Sequence, residues 1–250
     1  MRWGRPVRRV QAREGVAAPP AGTGAWPVAI PAVRRLLADG LDLGAATVLV
    51  GENGSGKSTV VEAVAAAFGL NPEGGTPHAR FSSRASESPL HRDLHVVREA
   101  GGANWGFFLR AETMHGLYTY LEGTGQPGLH RDSPALHEVS HGESFWEILR
   151  HRFDSPGFYV LDEPESALSF DGQLALVGLL GDLAASGTSQ ALVATHSPVV
   201  AALPGARLLE LDPDPHGPGW TERAWEDLAL VNHHRAFLRD PHRYLRHLRD

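Results

Sequence analysis

The segment Gly51-Glu52-Asn53-Gly54-Ser55-Gly56-Lys57-Ser58 constrains this chain more than any other. It matches G-x-x-x-x-G-K-[ST], and it follows Thr47-Val48-Leu49-Val50, an apolar run of the kind buried on both faces of a parallel sheet. After it, Val60, Val61, Val64, Ala65 and Phe68 recur at helical spacing, and Gly69 is placed as a left-handed cap. The spacing predicts a helix from Ser58 to Phe68. Strand, glycine loop and helix together turn backbone N–H groups inward around phosphates and aim the positive end of a helix at them. The anion-holding residues expected are therefore Gly51, Glu52, Asn53, Gly54, Ser55, Gly56, Lys57, Ser58 and Thr59. Lys57 would reach the β- and γ-phosphates, and the Ser58 hydroxyl would be a ligand of Mg²⁺. Of the 23 basic residues, 22 are arginine and Lys57 is the one lysine, so this position has resisted a strong compositional bias. A compact ammonium fits there where a planar guanidinium would not.

Two strand ends downstream supply complementary chemistry. Phe158-Tyr159-Val160-Leu161-Asp162-Glu163 is an apolar run ending in two carboxylates. Asp162 would hold Mg²⁺, and Glu163, on the opposite face of the strand end, would orient and deprotonate a water for in-line attack on a γ-phosphate. Ala194-Thr195-His196-Ser197 ends the next apolar run, and a neutral His196 there can bridge phosphate and water. Further strands are expected at Ala191–Ala194 and Leu208–Leu211, with a helix over Gln173–Ala185. This βαβ alternation implies a mostly parallel sheet between helices.

At 250 residues with 42% apolar content, the chain is long enough for one large domain with a substantial core. There is no cysteine, which excludes disulfides, thiolate catalysis and zinc-thiolate sites. A net charge of -6 gives no overall basic footprint, so nucleic-acid binding would need a local patch. No apolar run approaches membrane-spanning length and no signal sequence opens the chain, so a cytoplasmic protein is expected. Residues 1–25, with Arg2, Arg5, Arg8, Arg9 and Arg13 and no apolar periodicity, read as a flexible basic arm. Trp26, Val28 and Ile30 alternate as in a short strand of an N-terminal lobe. Asp240-Pro241 is a cap followed by proline, which would open a short terminal helix.

Glycine loop, acid pair and histidine, in that order, resemble the ABC-type ATPases, in particular their soluble branch not fused to transporters. Between loop and acid pair, Val139-Ser140-His141-Gly142-Glu143-Ser144 stands where that family carries its signature, Leu-Ser-Gly-Gly-Gln. Ser140 and Gly142 match, while His141 and Glu143 differ. Ser140-x-x-Glu143 is also a capping box for a helix with Phe145, Leu149 and Phe153 on its apolar face. The resemblance is nearest to short bacterial ATPases with a Ser-His-Gly-Glu-Ser signature and a terminal Tyr-Leu-Arg-His-Leu, here Tyr244–Leu248. It implies an α/β P-loop NTPase fold over 26–250, with an N-terminal β lobe and a small helical subdomain at about 113–156. It implies ATP and Mg²⁺ as ligands and a head-to-tail homodimer in which Ser140 and Gly142 of one copy meet the γ-phosphate held by the other. The family's loop glutamine has no obvious counterpart. Glu112, after Phe107-Phe108-Leu109-Arg110, is the candidate for its metal-side role. Glu165-Ser166-Ala167-Leu168-Ser169 resembles the loop that follows the acid pair in this family, with Ser169 in place of aspartate.

The reading is therefore a Mg²⁺-dependent ATPase driving an unknown protein or nucleic-acid partner. The alternatives are an ATP-gated nucleic-acid-binding module using the arginine arm, and a small-molecule kinase, which needs neither signature nor acid pair. Trp26 is expected to pack, with stacking on a base as the other role open to it. His91 and His95 lack a third ligand for a zinc site. Arg235, Arg239, Arg243 and Arg246 would form a stripe only if Pro241 did not interrupt the helix.

Overall fold

The computed structural model describes residues 4–71, 88–110, 146, 149 and 152–246. Two sheets organise them. The larger has the strand order β5-β6-β7-β3-β8-β9, with β3 Ala46–Val50, β5 Gly106–Arg110, β6 Phe158–Asp162, β7 Gln190–Thr195, β8 Arg207–Leu211 and β9 Trp220–Glu222. Neighbours from β5 to β8 are parallel, and β9 pairs antiparallel with β8 at the edge. The smaller sheet pairs β1 Arg9–Ala12 antiparallel with both β2 Leu41–Asp42 and β4 Leu94–Val97.

Strand periodicity of two divides the core into two layers. Leu49, Val160, Leu192 and Leu209 face one side, where they pack with Val60, Val61, Val64 and Phe68 of α2 (Lys57–Phe68) and with α1 (Pro31–Asp39). Val48, Val50, Tyr159, Leu161 and Val193 face the other, against Leu176, Leu180 and Leu183 of α3 (Phe170–Ala185). Every residue of β3, β6 and β7 is buried, which explains their unbroken apolar runs. α2 begins one residue before the predicted start and ends on Gly69, at φ 105°, as expected. α3 begins at Phe170, three residues earlier than its spacing suggests, because the Ser169 hydroxyl accepts the Gly172 N–H at 3.2 Å and caps it.

The N-terminus differs from the expected arm. Val7 and Val10 are fully buried, and Arg9–Ala12 is the central strand of the small sheet. Arginines conceal the pattern because they face outward and pair: Arg9 with Asp42 at 2.6 Å and Arg5 with Glu99 at 3.4 Å. Residues 26–30 form a turn beginning with a cis Trp26–Pro27 bond, so they do not supply the lobe strand expected of them.

One buried side chain joins the sheets. The Gln190 amide oxygen accepts the Val7 N–H at 2.9 Å, and its Nε2 donates to Val7 O at 2.8 Å and Gly44 O at 2.7 Å. Removing it strands several backbone groups away from water. Gln190→Ala is expected to lower unfolding free energy by about 2–4 kcal/mol, read from the denaturant midpoint.

At the C-terminal end, α4 (Ala229–Arg239) stops at Asp240, whose carboxylate accepts the Arg243 N–H at 3.2 Å and opens α5 (Pro241–Leu245). The arginine stripe is thus split between two helices. His91 lies in a 3-10 turn and His95 in β4, so they share no helix face.

Candidate functional site

Parallel pairing brings three strand ends to one edge of the sheet. Val50 pairs with Thr195 and Asp162 with Ala194, so the residues that follow, Gly51, Glu163 and His196, leave the sheet side by side. In open α/β sheets, the crevice beyond the carboxyl ends of the strands is where ligands sit.

The loop from Gly51 to Lys57 is shaped by glycine. Gly56 has φ 97°, and a Cβ there would lie 2.4 Å from Cγ2 of Ile30, so no other residue fits. The Lys57 side chain folds back over the loop, and its Nζ donates to Gly51 O at 3.0 Å and Glu52 O at 3.1 Å. Lys57 is only 3% exposed. Burial pushes its pKa below the ordinary lysine value, against the opposing pull of Glu163, Asp162 and Glu165. Among the described residues, Ser55 Oγ is buried without a hydrogen-bond partner. An orphaned donor beside a buried ammonium at the start of a helix is the chemistry of a phosphate cradle.

Ser58 Oγ donates to Asp162 Oδ1 at 3.0 Å. A hydroxyl and a carboxylate at this separation form a hard-oxygen pair of the kind Mg²⁺ prefers, so the residues present fit that ion. Arg110, at the end of β5, stands opposite Asp162 in the β5–β6 register. Its Nη1 is 2.9 Å from Glu62 Oε2 and its Nε 3.6 Å from Asp162 Oδ2. The apolar run before Arg110 was visible in sequence, but its ion pair with Asp162 follows from the register alone.

Glu163 has φ 50° and is the one non-glycine residue with positive φ among the described residues. Such backbone costs about 1 kcal/mol or more and persists where surrounding bonds impose it. Here its N–H donates to Ala194 O at 2.9 Å, and the Ser166 hydroxyl donates to its carbonyl at 2.9 Å. Its side chain approaches His196, with Glu163 Oε1 3.0 Å from His196 Nε2. A cleft of about 370 Å³ is bounded by the loop from Asn53 to Thr59, by Glu163 and by Trp26. Trp26 is 60% exposed at its mouth, so its role is not core packing. A second cavity, of about 300 Å³, is lined by Gly51, Glu52 and His196 together with Glu210, Asp212 and His233.

The ABC transporter family model matches residues 40–166, a span that covers the loop and the acid pair just described. This chain belongs to that family. ATP binding and hydrolysis are the activity its ATPase domains share. The chain is 31% identical over 180 residues to the cytochrome c biogenesis ATP-binding export protein CcmA of Rhodopseudomonas palustris (strain HaA2), covering 66% of this chain and 86% of the relative. It is 29% identical over 170 residues to the zinc import ATP-binding protein ZnuC of Paracoccus denitrificans (strain Pd 1222), covering 63% of this chain and 61% of the relative. Among solved structures, the SMC head domain from Thermotoga maritima aligns with TM-score 0.44 at 15% identity, over 74% of this chain and 93% of that one. The fold is that of a P-loop ABC ATPase, a mostly parallel sheet flanked by helices.

The structure thus gathers Gly51–Thr59, Asp162, Glu163 and His196 at one sheet edge. Ser140, Gly142 and Glu112 lie outside the described residues, as does almost all of the expected helical subdomain at 113–156. In sequence, Glu165 stands out only as part of the loop that follows the acid pair. Its Oε1 accepts the His196 N–H at 2.5 Å, and its Oε2 is buried. Among the described residues no helix is long and apolar enough to cross a membrane, and no group of three or more His, Cys, Asp or Glu is placed to hold a metal.

Proposed function

We propose that this chain is a Mg²⁺-dependent ATPase that closes head-to-tail with a second copy around two ATP molecules, and that hydrolysis reopens the pair to drive a partner process. The observation that carries the reading is the meeting of Ser58 and Asp162, 104 positions apart, at 3.0 Å beside the loop that buries Lys57. Neither a surface glycine turn nor a capped strand end would bring these groups together.

In this mechanism the loop amides and Lys57 hold the β- and γ-phosphates, the ammonium exchanging the Gly51 and Glu52 carbonyls for phosphate oxygens. Ser58 and Asp162 would hold Mg²⁺, with Glu112 as a further candidate ligand; the ion supplies neutralisation of phosphate charge. Glu163 orients a water and takes its proton as the water oxygen bonds to the γ-phosphorus. The bond from that phosphorus to the bridging oxygen breaks, and ADP and phosphate leave. His196, beside Glu163, hydrogen-bonds the γ-phosphate and the water. Ser140 and Gly142 of the second copy close the phosphate from the other side, and Trp26 offers its exposed face to the base.

The ATPase domain in this reading runs over 26–250, with the small sheet extending it to the N-terminal side. Its partner is a protein or a nucleic acid, and its setting the cytoplasm. Phosphate release from ATP tests the reading. Turnover with Mg²⁺ should be abolished by EDTA and lowered about 100-fold or more in Asp162→Asn. EDTA-resistant turnover would contradict the assignment of Ser58 and Asp162.

A further inference from the structure

We propose that Glu165 is a positioning residue, whose carboxylate fixes the main chain at His196 and so sets where the His196 ring meets Glu163. The inference rests on the ATPase reading above and adds to it a residue outside the loop, acid pair and histidine.

A 3-10 turn over Pro164–Ala167 follows Glu163. Two bonds staple this turn to the end of β7. One is main chain, from Glu163 N–H to Ala194 O at 2.9 Å. The other is the Glu165 side chain, whose Oε1 accepts the His196 N–H at 2.5 Å. A carboxylate accepting from an amide makes a short, charge-assisted bond, about twice as strong as a neutral one. The His196 ring then returns to Glu163, with Nε2 3.0 Å from Oε1, closing a circuit through residues 163, 165 and 196.

The links of that circuit differ in quality. His196 Nε2 has no aligned hydrogen-bond partner among the described residues, although Glu163 is within contact distance. The Glu163 contact is thus not an aligned hydrogen bond. The ring hangs from main chain whose aligned bond at that point is the one His196 N–H donates to Glu165. The next residue is fixed separately, with Ser197 N–H donating to Thr195 Oγ1 at 3.0 Å and Ser197 Oγ to Gln173 Oε1 at 2.5 Å. Residue 196 thus depends on Glu165 in a way that residue 197 does not.

Glu165 leaves its second oxygen, Oε2, buried without a hydrogen-bond partner among the described residues, an arrangement that burial penalises. Its charge also reaches Lys57, together with those of Glu163 and Asp162. The carboxylate therefore lies within the electrostatic reach of the phosphate loop while it holds the histidine.

The test is steady-state ATP hydrolysis by the full chain across ATP concentrations, with thermal unfolding of each variant as a control. Glu165→Ala should lower kcat about tenfold with KM within about twofold of wild type, the pattern of a lost transition-state contact. Glu165→Gln keeps an acceptor for the His196 N–H and should return to within about threefold of the wild-type kcat. Wild-type kcat in Glu165→Ala would overturn the proposal, and so would a Glu165→Gln as slow as Glu165→Ala. Should Glu165→Ala fail to fold, Glu165→Met, of similar length but without an acceptor, replaces it with the same outcomes. Unfolding of both would assign Glu165 to structure alone and overturn the positioning role. A wild-type chain that does not hydrolyse ATP would remove the ATPase reading and this inference together, whereas normal turnover in Glu165→Ala removes only the inference.

Discussion

Glu163→Gln is expected to lower kcat for ATP by about 100-fold or more while leaving ATP affinity within about threefold of wild type, because the change removes a proton acceptor and preserves shape. The left-handed backbone at 163 is imposed by bonds to Ala194 and Ser166 that glutamine leaves intact, so the variant should fold as the parent does. In the proposed mechanism, the water near the γ-phosphate then keeps its position but loses the group that takes its proton. Under the proposed dimer mechanism this variant accumulates in the closed, ATP-loaded form, which would elute earlier than the nucleotide-free chain in size-exclusion chromatography. Unchanged kcat would remove Glu163 from the chemistry. A slow variant that stays monomeric with ATP would leave the chemistry in place and remove the head-to-tail pairing.

Lys57→Met should weaken ATP binding by about 10- to 150-fold, the loss of one charge-assisted contact of roughly 1.5–3 kcal/mol. Stability without nucleotide should behave in the opposite sense. Burial holds the Lys57 pKa below its ordinary value, so the folded chain releases this proton at lower pH than the unfolded chain does. Across that window the unfolded state binds more protons, and stability rises with pH. At neutral pH the buried ammonium is therefore a cost of folding, accepted at a binding loop. Lys57→Met removes that cost. Its apo melting temperature should equal or exceed the wild-type value, and the part of the alkaline rise due to Lys57 should vanish. A variant that loses both ATP binding and apo stability would show that Lys57 holds the loop through its bonds to the Gly51 and Glu52 carbonyls.

How far the sequence reveals this site depends on how local each signal is. The loop from Gly51 to Ser58 and the runs ending at Asp162 and Thr195 are contiguous, and strands buried on both faces keep their polar residues few and mostly at the strand ends. β1 was hidden because Val10 is its one buried residue, with Pro6 and Val7 buried just before it, while Arg5 and Arg9 pair with acids from other segments. The stretch at residues 26–30 alternates like a strand, yet it lies in a turn beside the cleft. Arg110 and Glu165 were illegible for another reason. Their significance lies in a register and a through-space bond, Arg110 opposite Asp162 and Glu165 beneath the His196 amide, which no spacing along one chain encodes. Gln190 belongs with them, since its partners, Val7 and Gly44, are distant in sequence.

The most direct measurement is a crystal structure of this chain grown with Mg²⁺ and a non-hydrolysable ATP analogue. That structure should show the triphosphate along Gly51–Thr59, Lys57 Nζ turned from the Gly51 and Glu52 carbonyls to phosphate oxygens, and the Ser58 and Asp162 oxygens on the ion. Nucleotide bound elsewhere, or a loop still closed on Lys57 at saturating analogue, would contradict the proposed site.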